Sequence, residues 1–435
     1  MGFLRELVGQ NKQNGLQKKH RRAIMNVTHL FLTEEMNMIS KNTPPMGWNT
    51  WNTFGHDVCE ELILRSADAM EKSGLKEAGY EYIVIDDCWS LRERDENGRL
   101  VPDPEKFPHG MKYVADYVHS KGLKFGMYSC AGVLTCAQYP ASYEHEYVDA
   151  ATFAEWGVDF LKYDYCRHSI VKPGHISYKT MGLALANCGR EILFSACSWG
   201  VEDTRRWIKE TGADTWRSGG DIIDNWSSVK YIAQDQLKYM EFNGKGCYND
   251  LDMLVVGMNG EGHVAQGGCT EDEYFTHFAF WCMYGSPLMI GCDLTKLDDK
   301  AKSILTNEKL IRIDQDTKHS QPFFINHKME KNQKLSNEND LYYANYPLDT
   351  PILAKFLDDG KIAIGMFNFS DGETKYYQSA VLCESVGVPY SSGKGLKLTD
   401  VRTGEVYYSK NELFTIPNIP PHGSRVYIAE VVDRK

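Results

Sequence analysis

Acidic residues close a series of short apolar runs in this chain: Asp86 and Asp87, Asp164, Asp221, Asp252 and Asp293. Retaining hydrolysis of a glycosidic bond needs two carboxyl groups facing each other across the anomeric carbon, one as nucleophile and one as acid and then base. Chemistry alone does not choose two of these six, and a lone Asp at such a position more often caps a helix or accepts from a loop. Taken together they imply a carboxylate-lined cleft. Lys162 lies two residues before Asp164 on the same face of a strand, so it can hold that carboxylate ionised, with a lowered pKa, or form an ordinary ion pair at the cleft mouth. Beside Asp221, Gly219 and Gly220 permit close backbone approach, and Arg217 can bind a hydroxyl or orient a carboxylate. Trp51 and Trp89 are placed to stack on a sugar. The thirteen histidines show no HExxH or paired spacing, so neither metal nor cofactor is expected, and His109 reads as structural.

Elements must bring those acids together. Strand-like runs at 47–51, 82–87, 124–129, 160–164, 192–198, 215–221, 248–254 and 288–293 alternate with helical periodicity at 60–72, 111–120, 150–156, 178–187 and 227–241. This is the pattern of a (β/α)8 TIM barrel, which gathers its strand ends at one face. An open doubly wound sheet is the alternative, but no GxGxxG or Walker loop follows the first strand. Beyond Pro322 the pattern changes to short alternating strands at 341–344, 352–357, 361–368, 375–379, 396–400 and 425–430, divided by turn pairs such as Asp359-Gly360, as in an antiparallel β-sandwich. The expected organisation is a polar N-terminal leader (1–42), a catalytic barrel (43–320) and a C-terminal β-sandwich (321–435) without chemistry of its own.

A length of 435 residues suits a large domain plus a smaller one. The net charge of −11 disfavours nucleic acid or an anionic membrane as partner, and the basic run Lys18-Lys19-His20-Arg21-Arg22 reads as a solvated tail. No apolar h-region follows that run, and nothing approaches a membrane span, so a cytoplasmic protein is expected. Twelve scattered cysteines without a CxxC pair are then mostly thiols, and the sequon-like Asn26-Val27-Thr28 and Asn368-Phe369-Ser370 carry no consequence. A homo-oligomer is the default for such an enzyme.

Longer motifs are more specific. Pro45-Met46-Gly47-Trp48-Asn49-Thr50-Trp51-Asn52, Ile85-Asp86-Asp87-Cys88-Trp89, Lys162-Tyr163-Asp164-Tyr165-Cys166, 217–221 and Asn249-Asp250-Leu251-Asp252-Met253 occur in order. Over about residues 43 to 430 the chain resembles glycoside hydrolase family 27, the α-galactosidases and α-N-acetylgalactosaminidases. The resemblance implies a barrel followed by a β-sandwich, with Asp164 as nucleophile and Asp221 as acid/base. It further implies that Asp86 and Asp87 hold the 4- and 6-hydroxyls of galactose, that Trp51 packs on the sugar face, and that Tyr128, Lys162, Arg217, Asp252 and Met253 complete the pocket. Cys136 and Cys166 match a pair that relatives join as a disulfide, against the expectation of thiols above, whereas Cys88 is expected to be a free buried thiol.

Within the resemblance, the loop Cys197-Ser198-Trp199-Gly200-Val201 is the part that reads carbon 2. Ser198 stands where many α-galactosidases have Glu or Asn and leaves room for an acetamido group, while Gly200 follows the galactosidase loop and Val201 is larger than the usual Ala. The implied activity is removal of terminal α-galactose from oligosaccharides. The alternatives are an α-N-acetylgalactosaminidase, a β-L-arabinopyranosidase, an enzyme of the family acting on glucosyl linkages, and, from another class, a sugar-binding barrel without turnover.

Overall fold

The computed structural model describes residues 43–326, 348–374, 380–415 and 417–434. The leader and the expected strands at 341–344 and 375–379 lie outside the described residues. Eight parallel strands follow one another around a barrel: β1 (Met46–Asn49), β2 (Tyr82–Val84), β3 (Lys124–Cys130), β4 (Phe160–Asp164), β5 (Leu193–Cys197), β6 (Thr215–Arg217), β7 (Tyr248–Asp250) and β8 (Leu288–Ile290). β8 pairs with β1, and a parallel bridge from Leu254 to Ile290 closes the ring on the β7 side. All eight expected strands are present, yet most end earlier than the apolar runs do. The polar residues after each run leave the ladder and turn over the mouth, which is how Asp86, Asp221 and Asp252 come to be loop residues.

Alternation sorts the side chains. Tyr82, Val84, Phe160, Leu193, Met253 and Met289 point inward and form a small apolar plug. The same alternation carries Asp86 above Val84, and Lys162 and Asp164 above Phe160, so the site is built directly on that plug. Residues of opposite parity, such as Ile83, Leu161, Tyr163 and Phe194, pack outward under the helices in the main core. Helices Glu60–Ser73, Gly110–Ser120, Glu146–Trp156, Gly174–Ala186 and Trp226–Gln236 match the expected amphipathic stretches to within a few residues.

Helix Glu271–Tyr284 starts with a capping box between Thr270 and Glu273 and is buried along nearly its whole length. Its burial is explained by the second layer it meets: Phe280 lies 5.2 Å from Phe367, and Thr276 donates to Ser424 at 3.0 Å. Those partners belong to a six-stranded antiparallel sheet, ordered Phe323–Phe324, Ile352–Phe356, Ile362–Phe367, Ser424–Asp433, Lys394–Asp400 and Val406–Tyr408. A two-stranded sheet, Ala380–Leu382 with Leu413–Thr415, contributes Val381 and Phe414 to the same C-terminal core, giving the expected β-sandwich. Asn368 is fully buried there and its amide donates to the carbonyls of Gly372, Ile419 and Pro420, so it is a structural residue. Among the described residues, no helix is long and apolar enough to cross a membrane.

Candidate active site

A cleft of about 460 Å³ opens at the C-terminal ends of the strands. Its wall includes Trp51, Asp86, Asp87, Tyr128, Cys136, Lys162, Asp164, Arg217, Asp221, Asp252 and Met253, so eleven of the residues singled out in the sequence converge on one space. Strand register explains part of this. β3 and β4 place Tyr128 opposite Lys162 and Cys130 opposite Asp164, while β5 and β6 place Cys197 opposite Arg217.

At the deep end, Asp86 accepts from Asn49 at 2.8 Å and from the Lys162 ammonium at 2.7 Å. This corrects the expected pairing of Lys162 with Asp164: the long side chain reaches across the mouth to Asp86. Burial opposes the Lys162 charge, but the Asp86 carboxylate outweighs it and its pKa rises. For Asp164 burial wins, and although Lys162 and the Tyr165 N–H act in the other direction, the carboxyl is pushed up to about 6. The lowered pKa expected for Asp164 is therefore not what its surroundings produce. Asp87 accepts N–H bonds from Cys88 at 2.7 Å and Ala137 at 3.0 Å, and burial raises it despite both.

Arg217 supplies the charge on the opposite wall. Its guanidinium reaches Asp221 and Asp252, each at 2.7 Å, from a side chain only 4% exposed. Asp252 is further fixed by the Ile222 and Met253 N–H groups. Asp221 stands at the rim with its side chain 76% exposed. Burial of its surroundings raises it, but Arg217 and Lys162 overcome that and hold it below the usual carboxylate range. Buried Tyr128 faces the cleft with a hydroxyl that has no hydrogen-bond partner among the described residues, an acceptor and donor suited to a substrate hydroxyl.

Cys136 and Cys166 form a disulfide, with Cα atoms 5.1 Å apart, and their sulfurs lie within 4.8 Å of an Asp164 oxygen. Cys136 lines the cleft, while Cys166 is buried behind it. Cys88 is a free buried thiol, 3.0 Å from His56 Nδ1 and pushed by burial up to about 12.

Other expectations are redistributed. Ser198 is fully buried, its hydroxyl 2.8 Å from that of Thr204, and it does not line the cleft. Val201 is 39% exposed and also outside the wall. Trp199, at φ 56°, lines the cleft instead, just beyond the end of β5, while Ser198 continues the outward-facing parity of Phe194. Trp89 packs against Trp156 at 5.8 Å and Phe153, and its indole N–H donates to the Tyr128 carbonyl, so it is core. Asp293 caps a short helical turn through Thr295, and His109 pairs with Glu60. Sequence reasoning missed Ile222, Ile223 and the segment 263–266 as wall residues. The signal for the latter was the glycine-rich run around Gly260, Gly262, Gly267 and Gly268, which marks a turn-rich loop beside the strand ends.

Two carboxylates of opposed environment, one deep and one at the rim of a polar cleft, are the equipment of a glycosidase. Residues 43–316 match the family model described as alpha galactosidase A, Melibiase_2. The chain belongs to glycoside hydrolase family 27. Its family 27 relatives include an α-galactosidase of Cyamopsis tetragonoloba, 43% identical over 329 residues that make up 75% of this chain and 73% of that one. An α-galactosidase of Coffea arabica is 48% identical over 275 residues, 63% of this chain and 70% of its own. Among solved family 27 structures, α-galactosidase I from Mortierella vinacea aligns with a TM-score of 0.78 at 31% identity, covering 90% of this chain and 97% of that one. The α-galactosidase from Saccharomyces cerevisiae with raffinose aligns at 0.76 and 29%, covering 90% and 98%. This family 27 member is a glycosidase.

Proposed function

We propose that the protein is an exo-acting α-galactosidase that works with retention. Asp164 attacks the anomeric carbon from the cleft floor, and Asp221 protonates the departing oxygen from the rim. Water then enters on the Asp221 side and, with Asp221 now a base, releases galactose from the Asp164 ester. The observation that carries this reading is the placement of those two carboxylates on one cleft whose deep end is made of Asp86, Asp87, Lys162 and Tyr128. That end offers acceptors and donors for the hydroxyls of a single terminal ring. The curated relatives and the structure with raffinose support galactose as the ring and an oligosaccharide as its carrier. No metal or cofactor enters these steps.

The α-N-acetylgalactosaminide alternative relied on a short Ser198 enlarging the pocket at carbon 2. Ser198 is buried off the cleft with its hydroxyl bonded to that of Thr204, so it lends that alternative no support. The test is release of p-nitrophenol from the α-galactoside and the α-N-acetylgalactosaminide side by side, with Asp164→Asn as control. Galactoside cleavage that exceeds the acetamido substrate and disappears in Asp164→Asn is expected. A preference for the acetamido sugar overturns the assignment of the ring, and full activity in Asp164→Asn overturns the mechanism.

A further inference from the structure

The proposed mechanism assigns the floor of the cleft to the sugar that is attacked and gives one wall no role. That wall is the segment 263–266 with Ile222 and Ile223. It stands beside Asp221 for a covalent reason: Asp221 leads through Ile222 and Ile223 into Asp224–Asn225, a short strand paired in parallel with Ala265–Gly268, and the Asp224 N–H donates to the Val264 carbonyl at 3.0 Å. The acid must deliver its proton to the oxygen that joins the attacked ring to the leaving group. Whatever lies beyond that oxygen therefore departs on the Asp221 side, along this wall.

The wall is fixed before substrate arrives. His263 and Val264 N–H groups donate to the Thr53 and Asn52 carbonyls at 3.0 Å, tying the loop to the turn of helix that follows β1. Gly262, at φ 108°, approaches so closely that a Cβ would meet Thr53 Cα at 2.8 Å, and a Cβ on Gly55 would meet the His263 ring at 2.7 Å. Below, the fully buried Asp224 accepts from the Gly260 N–H and the Tyr274 hydroxyl, both at 2.8 Å, and that hydroxyl in turn accepts from the Asn259 N–H. Its exposed side offers the imidazole of His263, the aliphatic faces of Ile223 and Val264, and the amide of Gln266, which Asn225 orients through a 2.9 Å bond. Apart from Asp221 and a histidine, this side of the cleft carries no ionisable group. Aliphatic and ring surface with an oriented amide suits a neutral ring bearing CH faces and hydroxyls.

We propose that the loop 257–268, with Ile223 and Asn225, is the leaving-group subsite, and that it selects α-galactosides whose leaving group is a second sugar over those with a simple aryl group. The proposal rests on the α-galactosidase reading. Gln266 is exposed, so Gln266→Ala leaves the fold intact, which thermal unfolding checks. The measurements are kcat/KM for raffinose and for p-nitrophenyl α-galactoside, and the inhibition constant of free galactose, which has no leaving group. The ratio of raffinose to aryl efficiency is expected to fall roughly tenfold in the variant, with galactose inhibition moving less than about twofold. An unchanged ratio, or a parallel loss on both substrates and on galactose inhibition, overturns the subsite while leaving the α-galactosidase reading in place. Failure of the unaltered protein to release galactose from either substrate overturns that reading, and the subsite falls with it.

Discussion

In the free cleft the first proton goes to Asp164, pushed by burial up to about 6, and not to Asp221, which Arg217 and Lys162 hold low against the burial of its surroundings. The proposed mechanism needs the opposite distribution, an ionised Asp164 and a protonated Asp221. The reactive form is thus one tautomer of a singly protonated pair. Below the carboxylate range both acids are protonated and no nucleophile remains. As pH rises through about 6 the last proton leaves and no acid remains, so kcat/KM should be bell-shaped with its alkaline limb near pH 6. A profile that stays flat from about pH 5 to 8 would contradict this. The second prediction at this scale concerns the leaving group. Asp221→Ala should cost about 10²- to 10⁴-fold in kcat/KM on raffinose, whose sugar oxygen needs a proton. It should cost far less on p-nitrophenyl α-galactoside, whose phenolate leaves unaided, and equal losses would remove Asp221 from the acid role. The acids themselves were legible because each ends an apolar run. The partner of Lys162 was not, since a four-carbon arm can reach across the barrel as readily as along its own strand. Ser198 was assigned to the cleft through the resemblance, although the alternation of β5, with Leu193 inward and Phe194 outward, directs it away from the barrel axis.

The (β/α)8 units were the most readable elements, because a strand buried on both faces must be apolar throughout and its boundaries show in hydropathy. Their ends were less so: β6 stops at Arg217 and β7 at Asp250, where the chain leaves the ladder to aim side chains into the cleft. The loop 257–268 was not read at all, since its order comes from close approaches of glycines and from a buried acid rather than from any periodicity. Its dependence on that acid can be measured. Tyr274→Phe removes a hydroxyl that donates to Asp224 and accepts from Asn259, leaving a buried carboxylate one partner short. A loss of about 1–3 kcal/mol in denaturant unfolding is expected. Efficiency on raffinose should fall with it more than efficiency on the aryl substrate. A variant as stable as the parent would show that the loop is held by its backbone contacts alone.

Barrel and sandwich meet through buried polar as well as apolar contacts, and this was invisible in the sequence. Lys355, on the sandwich strand Ile352–Phe356, donates to the Ile313 carbonyl at 2.8 Å. Its charge opposes the burial that raises the neighbouring Asp314 at the end of the helix Glu308–Asp314. Lys355→Met removes the charge that opposes that rise and leaves the Ile313 carbonyl without its donor, and should destabilise the whole chain by about 1–3 kcal/mol. Restoring neutrality with Asp314→Asn should recover part of the loss, and no difference between the single and double variants would mean the two groups do not interact. The same polarity of construction, from an apolar plug upward to an open rim, has a consequence for long substrates. Tyr82, Val84, Phe160 and Met289 fill the barrel beneath the cleft, so a polymer backbone has no passage down through it. Given a polymer fringed with terminal α-galactosyl groups, an exo-acting enzyme so built would shave the fringe and never shorten the strand. Free monosaccharide should accumulate from the first moments while average chain length stays constant, and as the bare backbones lose their hydrated fringe they should begin to lie against one another and gel.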